Sequence, residues 1–427
     1  MEAGNWKRPK RLEALVLALA CLSSSAPASL AQGHSIESSA PAAAGTRAED
    51  AARGDSITFG PFGARLLALE AARRGPESNT VLSPASGGLA LSLALLGARG
   101  TTATALANML GYSDGDPVTI QRRGRVLLSA LRARRDVQLE IANAVWVDTS
   151  ARLVPAFASA MASWDATVAA LPLASSAALT PINAWAANAT HGRIQRILDD
   201  ELPDSARLFL ANAVYFKGLW LDRFQASETS PHEFILASGR RIRVPSMERT
   251  GSIAYRREQN YQMARLPYRG NRAALYVILP DSGLPVGTLE RQFATRGWPS
   301  SFGERDVRRV HLVLPKLHVE QTIDLDSLLK KLGGGIAQDC RRADFSNMAM
   351  LRAGDGNRLC IGKALQKVYL DVDEEGTEAA AVTGLVLAVP TSAPPPPIEF
   401  VVDRPFLFVL RDEVTGADLF VGSIRRP

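Results

Sequence analysis

The chain carries little with which to do chemistry. Its 427 residues include three cysteines and five histidines, and His34, His191, His232, His311 and His318 are scattered rather than grouped. No G-x-S-x-G, H-E-x-x-H, C-x-x-C or G-x-x-x-x-G-K is present, so the common hydrolase, zinc and phosphate-cradling patterns are missing. His311 and His318 flank Pro315 in strand-like sequence and read as structural histidines rather than ligands. Gly333 to Gly335 follow Leu328, Leu329 and Leu332, which is the pattern of a helix C-terminus and not of a nucleotide loop. A general acid–base pair leaves no spacing signature, but nothing positive points to catalysis, and no metal or cofactor is expected.

A membrane-spanning run is also lacking. Leu12 to Leu22 is apolar but short and contains Glu13, so it does not read as a transmembrane helix. With Lys7, Arg8, Lys10 and Arg11 before it and the small Ser29 and Ala31 after it, residues 1–31 read as an export signal. Cys21 offers the alternative of a lipid anchor, against which Ala18 and Leu19 stand where a large and then a small residue would be wanted. Residues 32–55, rich in Ser, Ala and Pro, read as a disordered tether. The location expected is secreted, extracellular or periplasmic.

Cleavage after Ala31 leaves only Cys340 and Cys360. Two cysteines in an exported protein can pair, but spacing does not establish geometry; two separate thiols are the expectation and a bridge the alternative. The net charge of +6 is modest. The densest basic patch, Arg122, Arg123, Arg125, Arg132, Arg134 and Arg135, reads as a solvated helix face, with polyanion binding the alternative. No aromatic residues are interleaved with it, so nucleic acid is not an expected partner.

What the chain does have is 46% apolar residues, enough for a substantial core. No internal repeat and no second linker precede the proline run, so residues 56–427 read as one domain. Helical spacing dominates the first half: Phe59, Phe62, Leu66 and Leu67, then a buried helix behind Ser83-Pro84, a turn at Gly97 to Gly100 and a helix capped near Thr101. Strands are predicted at Val137 to Val147 and Leu208 to Phe216, with a packing helix around Ile182 to Ile194 between them. From about Phe234 the chain turns to strands: Ala273 to Pro280, Val310 to Pro315, Leu365 to Val372, Ile398 to Val402, Phe406 to Leu410 and Leu419 to Ile424. Helices early and strands late predict an α+β fold with mostly antiparallel sheets.

One stretch resembles no ordinary core segment: Asp373 to Pro397, DEEGTEAAAVTGLVLAVPTSAPPPP. If extended, it alternates faces. Thr377, Ala379, Ala381, Thr383, Leu385 and Leu387 then share a face that a protein interior can accept, and Glu378, Ala380, Val382, Gly384, Val386 and Ala388 share the other. Ala and Glu are equally good helix formers, and Thr377 would cap a short surface helix. The flanking sequence decides between them.

Ten segments, in one order, make the chain from about Ile57 onward resemble the serpin family. They are NTVLSPAS (79–86), LLGARGTT (95–102), IANAVWV (141–147), INAWAANATHGRI (182–194), FLANAVYFKGLW (209–220), ARLPYRGNRAALYVILP (264–280), LPKLHVEQTIDLDSLLKKLG (314–333), ADFSNMA (343–349), DEEGTEAAAVT (373–383) and DRPFLFVLRDEVTGADLFVGSI (403–424). The resemblance implies three β-sheets, eight or nine helices, an exposed reactive loop and a monomer. It also implies a suicide trap: a serine protease, with cysteine proteases a second target class, attacks one loop bond, and the freed loop enters the central sheet as a strand before deacylation. Glu374, Glu375, Gly376, Thr377, Glu378, Ala379, Ala380, Ala381, Val382 and Thr383 match the loop hinge. Small residues at Ala379 to Ala381 let the strand enter without overpacking, which favours an inhibitor over a non-inhibitory binding or structural relative.

Further positions match further roles. Ser83, Ser86 and Asn212 match the polar shutter under the place where the sheet parts, and Trp220, Lys316 and Glu374 match the breach where insertion starts, with Lys316 and Glu374 expected to pair. Two departures stand out. Gln366 takes the place of the usual shutter histidine, so no histidine-linked pH effect on sheet opening is expected there. The distal loop is long and includes Pro394 to Pro397, a stiff polyproline segment. The family's loop length puts the reactive bond at Pro390-Thr391, an awkward site for a serine protease. Val389-Pro390 is a tertiary amide, and a register shift makes Leu387-Ala388 or Ala388-Val389 the bait, which would suit an elastase-like or subtilisin-like target.

Overall fold

The computed structural model describes residues 57–112, 115–299, 302–303, 306–351, 358–376 and 395–427, all of them within one compact unit, Ala44–Pro427. The signal, the tether and Cys21 lie outside these residues. So does the loop from Thr377 to Pro394, and with it the residues Thr377, Glu378, Ala379, Ala380, Ala381, Val382, Thr383, Leu387, Ala388, Val389, Pro390 and Thr391.

The first half is helical around a few strands. Helix α1 (Gly60–Arg74) leads to β1 (Thr80–Leu82), then α2 (Pro84–Gly97), α3 (Gly100–Leu110) and α4 (Pro117–Arg132). Next come β2 (Val137–Asp148), β3 (Ala151–Leu153), α5 (Pro155–Ala162), β4 (Thr167–Leu171), α6 (Leu179–Ala189) and β5 (Leu208–Gly218). Strands then take over: β6 (Ser230–Ile235), β7 (Arg241–Arg257), β8 (Tyr261–Pro267) and β9 (Ala273–Pro280), followed by α7 (Val286–Arg296). The chain continues with β10 (Val307–Pro315), β11 (Leu317–Asp324), α8 (Asp326–Lys331), β12 (Ala349–Leu351) and β13 (Lys363–Val372). After the loop come β14 (Ile398–Val401), β15 (Phe406–Asp412) and β16 (Asp418–Ile424).

The strands form three sheets. One has nine strands, in the order β1-β16-β15-β9-β8-β7-β10-β14 with β6 beside β7, a second has five, β11-β13-β5-β2-β4, and β12 pairs β3. With eight α-helices among the described residues, this is the α+β, three-sheet fold expected. Within the five-stranded sheet β11 is antiparallel to β13 and β2 to β5, whereas β13 and β5 run parallel, as do β2 and β4.

Burial on both faces explains why β5 reads as an almost unbroken apolar run. Leu208, Leu210, Val214 and Phe216 join the main core with α2, while Phe209, Ala211 and Ala213 join a smaller core under α6 with Trp146, Ile182 and Ala186. By contrast β11 alternates buried and exposed residues, as a strand with one wet face should. Helix α2 begins where predicted: Pro84 sits in its first turn and the Ser83 hydroxyl accepts from the Ser86 N–H.

Several expectations change. Helix α3 starts at Gly100 with Arg99 as an N-cap that makes no side-chain bond; the neighbouring Thr102 hydroxyl instead accepts from the Asp344 N–H at 3.0 Å. Cys340 and Cys360 are disulfide-bonded, with Cα atoms 4.9 Å apart, in place of two thiols. Arg122, Arg125, Arg132 and Arg135 are exposed as a solvated face requires, but Arg134 is buried, paired with Asp136 and Asp412. It therefore leaves the basic patch and serves the interior. Gly333, at φ 94, does end helix α8.

Candidate functional site

The site lies on the parallel seam between β5 and β13 and at the mouth above it. Register brings three amides into one row: Asn143 on β2 faces Asn212 on β5, and Asn212 faces Gln366 on β13. All three are buried, at 4%, 1% and 0% exposure, and buried polar groups must find partners. The Gln366 Nε2 donates to the Asn212 Oδ1 at 2.7 Å and to the Ser83 carbonyl at 3.0 Å, while its Oε1 accepts from the Ser83 N–H at 2.8 Å. The Asn212 Nδ2 donates to the Ser86 Oγ at 2.5 Å and to the Asn143 Oδ1 at 2.8 Å. Gly87 is required beneath this row, because a Cβ there would come within 2.8 Å of the Gln366 Nε2.

Ser83, Ser86, Asn212 and Gln366 are thus brought together as expected, and the glutamine fills every bond without a titrating group. Asn143 was missed. Its signal was present: IANAV and LANAV repeat the same Ala-Asn-Ala-Val on β2 and β5, and paired strands place the two asparagines opposite each other.

At the top of the seam β13 ends at Val372 and the chain reverses. Asp373 and Gly376 exchange backbone hydrogen bonds, the Asp373 carboxylate accepts from the Glu375 and Gly376 N–H groups, and Gly376 bridges antiparallel to Leu219, just past the end of β5. Gly376 has φ 133, and a Cβ on it would lie 2.2 Å from the Gly218 carbonyl oxygen. Only glycine fits there.

Trp220, Lys316 and Glu374 meet at this turn. The Trp220 indole stacks on Tyr268, with centroids 4.5 Å apart, and donates through Nε1 to the Asp373 carbonyl at 2.9 Å. The Lys316 Nζ donates to both oxygens of Glu374, at 2.8 and 3.1 Å, and the Thr229 hydroxyl donates to the same carboxylate at 2.7 Å. Burial opposes ionisation of Glu374, but the Lys316 ammonium and Thr229 outweigh it and hold its carboxyl below the usual range. For Asp373 burial wins, and with the charge of Glu374 beside it the carboxyl is pushed up. The Glu374 carbonyl also accepts from the Phe224 N–H, and that of Glu375 from the Trp220 N–H. Thr229 and Phe224 lie outside any local pattern, so sequence reading had no handle on them.

What the fold and site define is a five-stranded sheet, closed along a weaker parallel junction, with the chain turning back at Gly376 in the mouth of that junction. The sequence pattern of the family "Serpin (serine protease inhibitor)" matches residues 60–427, and the chain belongs to that family. It is a protease inhibitor, not an enzyme, with a target protease as its partner. The chain is 34% identical over 363 residues to human glia-derived nexin, covering 82% of this chain and 88% of that protein. It is 31% identical to Iripin-2 of Ixodes ricinus, covering 86% and 91%. Among solved structures, native tengpin, a thermophilic serpin, superposes with a TM-score of 0.76 at 25% identity, covering 87% of this chain and 94% of that one. Native protease nexin-1 with heparin gives 0.74 at 29% identity, covering 89% and 100%. No helix among the described residues is long and apolar enough to cross a membrane.

Proposed function

We propose that the chain is an exported, single-use inhibitor that traps a serine protease by inserting its cleaved loop between β5 and β13. The observation that carries this reading is the turn at Asp373 to Gly376. There Gly376 runs antiparallel to Leu219, just past β5, in the direction an inserted strand must take. Insertion would replace one parallel junction with two antiparallel ones. About a dozen new backbone hydrogen bonds at ~0.5–1.5 kcal/mol each amount to roughly 10 kcal/mol, comparable with a domain's whole stability. The uncut state is then held kinetically.

In this reading Thr377, Ala379, Ala381 and Thr383 enter facing the interior, and the Asn143–Asn212–Gln366 row is the latch that parts. Loop length counted from Gly376 puts the bait at Pro390-Thr391. The apolar residues before it put the bait at Leu387-Ala388 or Ala388-Val389 instead, and so favour an elastase-like or subtilisin-like target. Export rests on the signal-like residues 1–31.

Incubation with proteases of both kinds, followed by denaturing electrophoresis, tests the trap. A denaturant-resistant adduct is the expected result, and mass spectrometry of the released C-terminal peptide fixes the bond. Clean cleavage with neither adduct nor rise in melting temperature overturns the proposal.

A further inference from the structure

The loop is tethered at both ends, and its far end is held by a cluster that belongs neither to the seam nor to the mouth. Strand β14, immediately after the loop, is an edge strand paired only to β10 among the described residues. In that pairing His311 lies directly across from Glu399. The His311 Nδ1 is 2.6 Å from a Glu399 oxygen, and its Nε2 is 2.8 Å from a Glu248 oxygen on β7. Carboxylates only accept hydrogen bonds, so both contacts require a hydrogen on each ring nitrogen, and only the imidazolium has two. Two residues before His311 on β10, the Arg309 Nη1 donates to the carbonyl of Pro395, just ahead of β14, at 2.9 Å.

The far end matters because an uncut loop cannot enter the sheet without it. Eighteen residues, 377–394, separate Gly376 from Pro395. A strand alongside the ten residues of β13 would take the chain about 33 Å down the sheet at ~3.3 Å per residue. The remaining eight or so reach at most roughly 27 Å back, less than the distance travelled down, so full-length insertion of an uncut loop pulls on Pro395 and on β14 behind it. Cutting the loop removes this pull.

We infer that the Glu399–His311–Glu248 contact is a protonation-dependent clasp on β14, which restrains self-insertion of the uncut loop without restraining insertion after cleavage. This rests on the insertion reading above. Among the described residues, the ring meets Glu399 on β14 and Glu248 on β7, and Arg309 lies two residues away on β10 itself. His232 on β6 stands 3.4 Å from the other Glu248 oxygen and contacts no residue of β14 in this cluster. The hydrogen bond that His311 donates to Glu399 leads, against some burial, in raising the pKa of His311. The clasp is therefore complete below the ordinary histidine value of about 6.5 and is lost as pH rises through the raised folded value. Above that, the neutral ring turns a lone pair toward one carboxylate.

Hydrogen exchange of the full chain at pH 5.5 and 8.5, corrected for intrinsic rates, reads the clasp whether or not a protease is trapped. Protection of residues 398–401 relative to β16 should be roughly three- to tenfold greater at pH 5.5, the scale of two partly exposed ion pairs. His311→Gln and, independently, Glu399→Gln should each flatten that difference; the second leaves the Glu248–His232 contact intact. Uncut wild type should also keep its adduct-forming activity longer at pH 5.5. Equal protection at both pH values, or a pH dependence that survives both substitutions, overturns the clasp. Intact pH-dependent protection in a protein that forms no adduct with any protease would instead sink the trapping reading alone.

Discussion

Gln366 and Asn212 face each other across the parallel seam, joined by a 2.7 Å hydrogen bond and closed off from solvent. A strand entering between β5 and β13 must break that bond, so the pair sets part of the barrier to opening. Gln366→Ala leaves the Ser83 N–H and the Asn212 carbonyl oxygen without this partner, and a buried unsatisfied group costs about 1–3 kcal/mol. The expected result is a lower melting temperature for the uncut protein. Gln366→His should add a pH dependence the wild-type residue cannot have. A buried imidazole must accept from the Ser83 N–H, so its folded pKa is depressed, and stability relative to wild type falls as pH drops below about 6.5. Calorimetry of both proteins between pH 5 and 8 checks this.

Gly376 is the narrowest point of the mouth. A Cβ there would meet the Gly218 carbonyl oxygen at 2.2 Å and the Leu219 Cα at 2.7 Å, and φ 133 disfavours any side chain. Gly376→Val should expel the turn from the end of β5 at a cost of about 1–3 kcal/mol. The checkable outcome is faster exchange at the Trp220 N–H, which now donates to Glu375, with a drop in melting temperature.

Most of this architecture was legible in the sequence, and the reasons are local. Strands β9, β15 and β16 are mostly apolar runs and β13 alternates apolar with polar residues after Leu365, so their limits fell within one or two positions. Strand β7 was not placed, because Arg, Ser and Gly251 break its alternation and Pro245 sits inside it. Its order comes from pairing with β6, β8 and β10, which no short window contains. In the site, Ser83, Ser86, Asn212, Gln366, Trp220, Lys316 and Glu374 were found by resemblance, while Asn143, Thr229 and the clasp residue Glu399 depend on contacts distant in sequence. The disulfide was missed for the same reason: 20 residues of separation say nothing of whether two Cα atoms meet, and two separate thiols were expected.

That disulfide ties the segment just before β13 to the segment after α8. Closing a loop of this length restricts the unfolded chain by about 3 kcal/mol. Reduction under native conditions, or Cys340→Ser together with Cys360→Ser, should lower the unfolding free energy by that amount. Denaturant titration with and without reductant measures it, and an unchanged midpoint counts against a bridge in solution.

The Lys316–Glu374 pair should make the mouth sensitive to acid. Glu374 has its folded pKa lowered, chiefly because the Lys316 and Thr229 bonds overcome burial. Its contribution is therefore present above the ordinary glutamate value of about 4.3 and lost as pH falls through the depressed folded value. Lys316→Met should remove that dependence, flattening the wild-type fall in thermal stability below about pH 4.5. A Lys316→Met profile parallel to wild type would mean that the ion pair contributes nothing to holding the mouth.

The decisive residue for trapping is Thr377, the first loop residue beyond the turn. On the proposed insertion, alternation along an extended strand puts Thr377 on the face that enters the interior and Glu378 on the face that does not. An arginine at 377 would have to be buried among α2 and the seam without a partner, at a cost of several kcal/mol, enough to slow insertion by orders of magnitude while leaving the bait bond untouched. Deacylation then wins, and Thr377→Arg is cleaved as a substrate with no adduct. Glu378→Arg carries the same charge one residue on and should keep trapping. Electrophoresis of both variants against one protease separates the outcomes: equal adduct yields would show that the strand does not enter with this face inward, and loss of adduct in both would trace the defect to charge alone and not to burial.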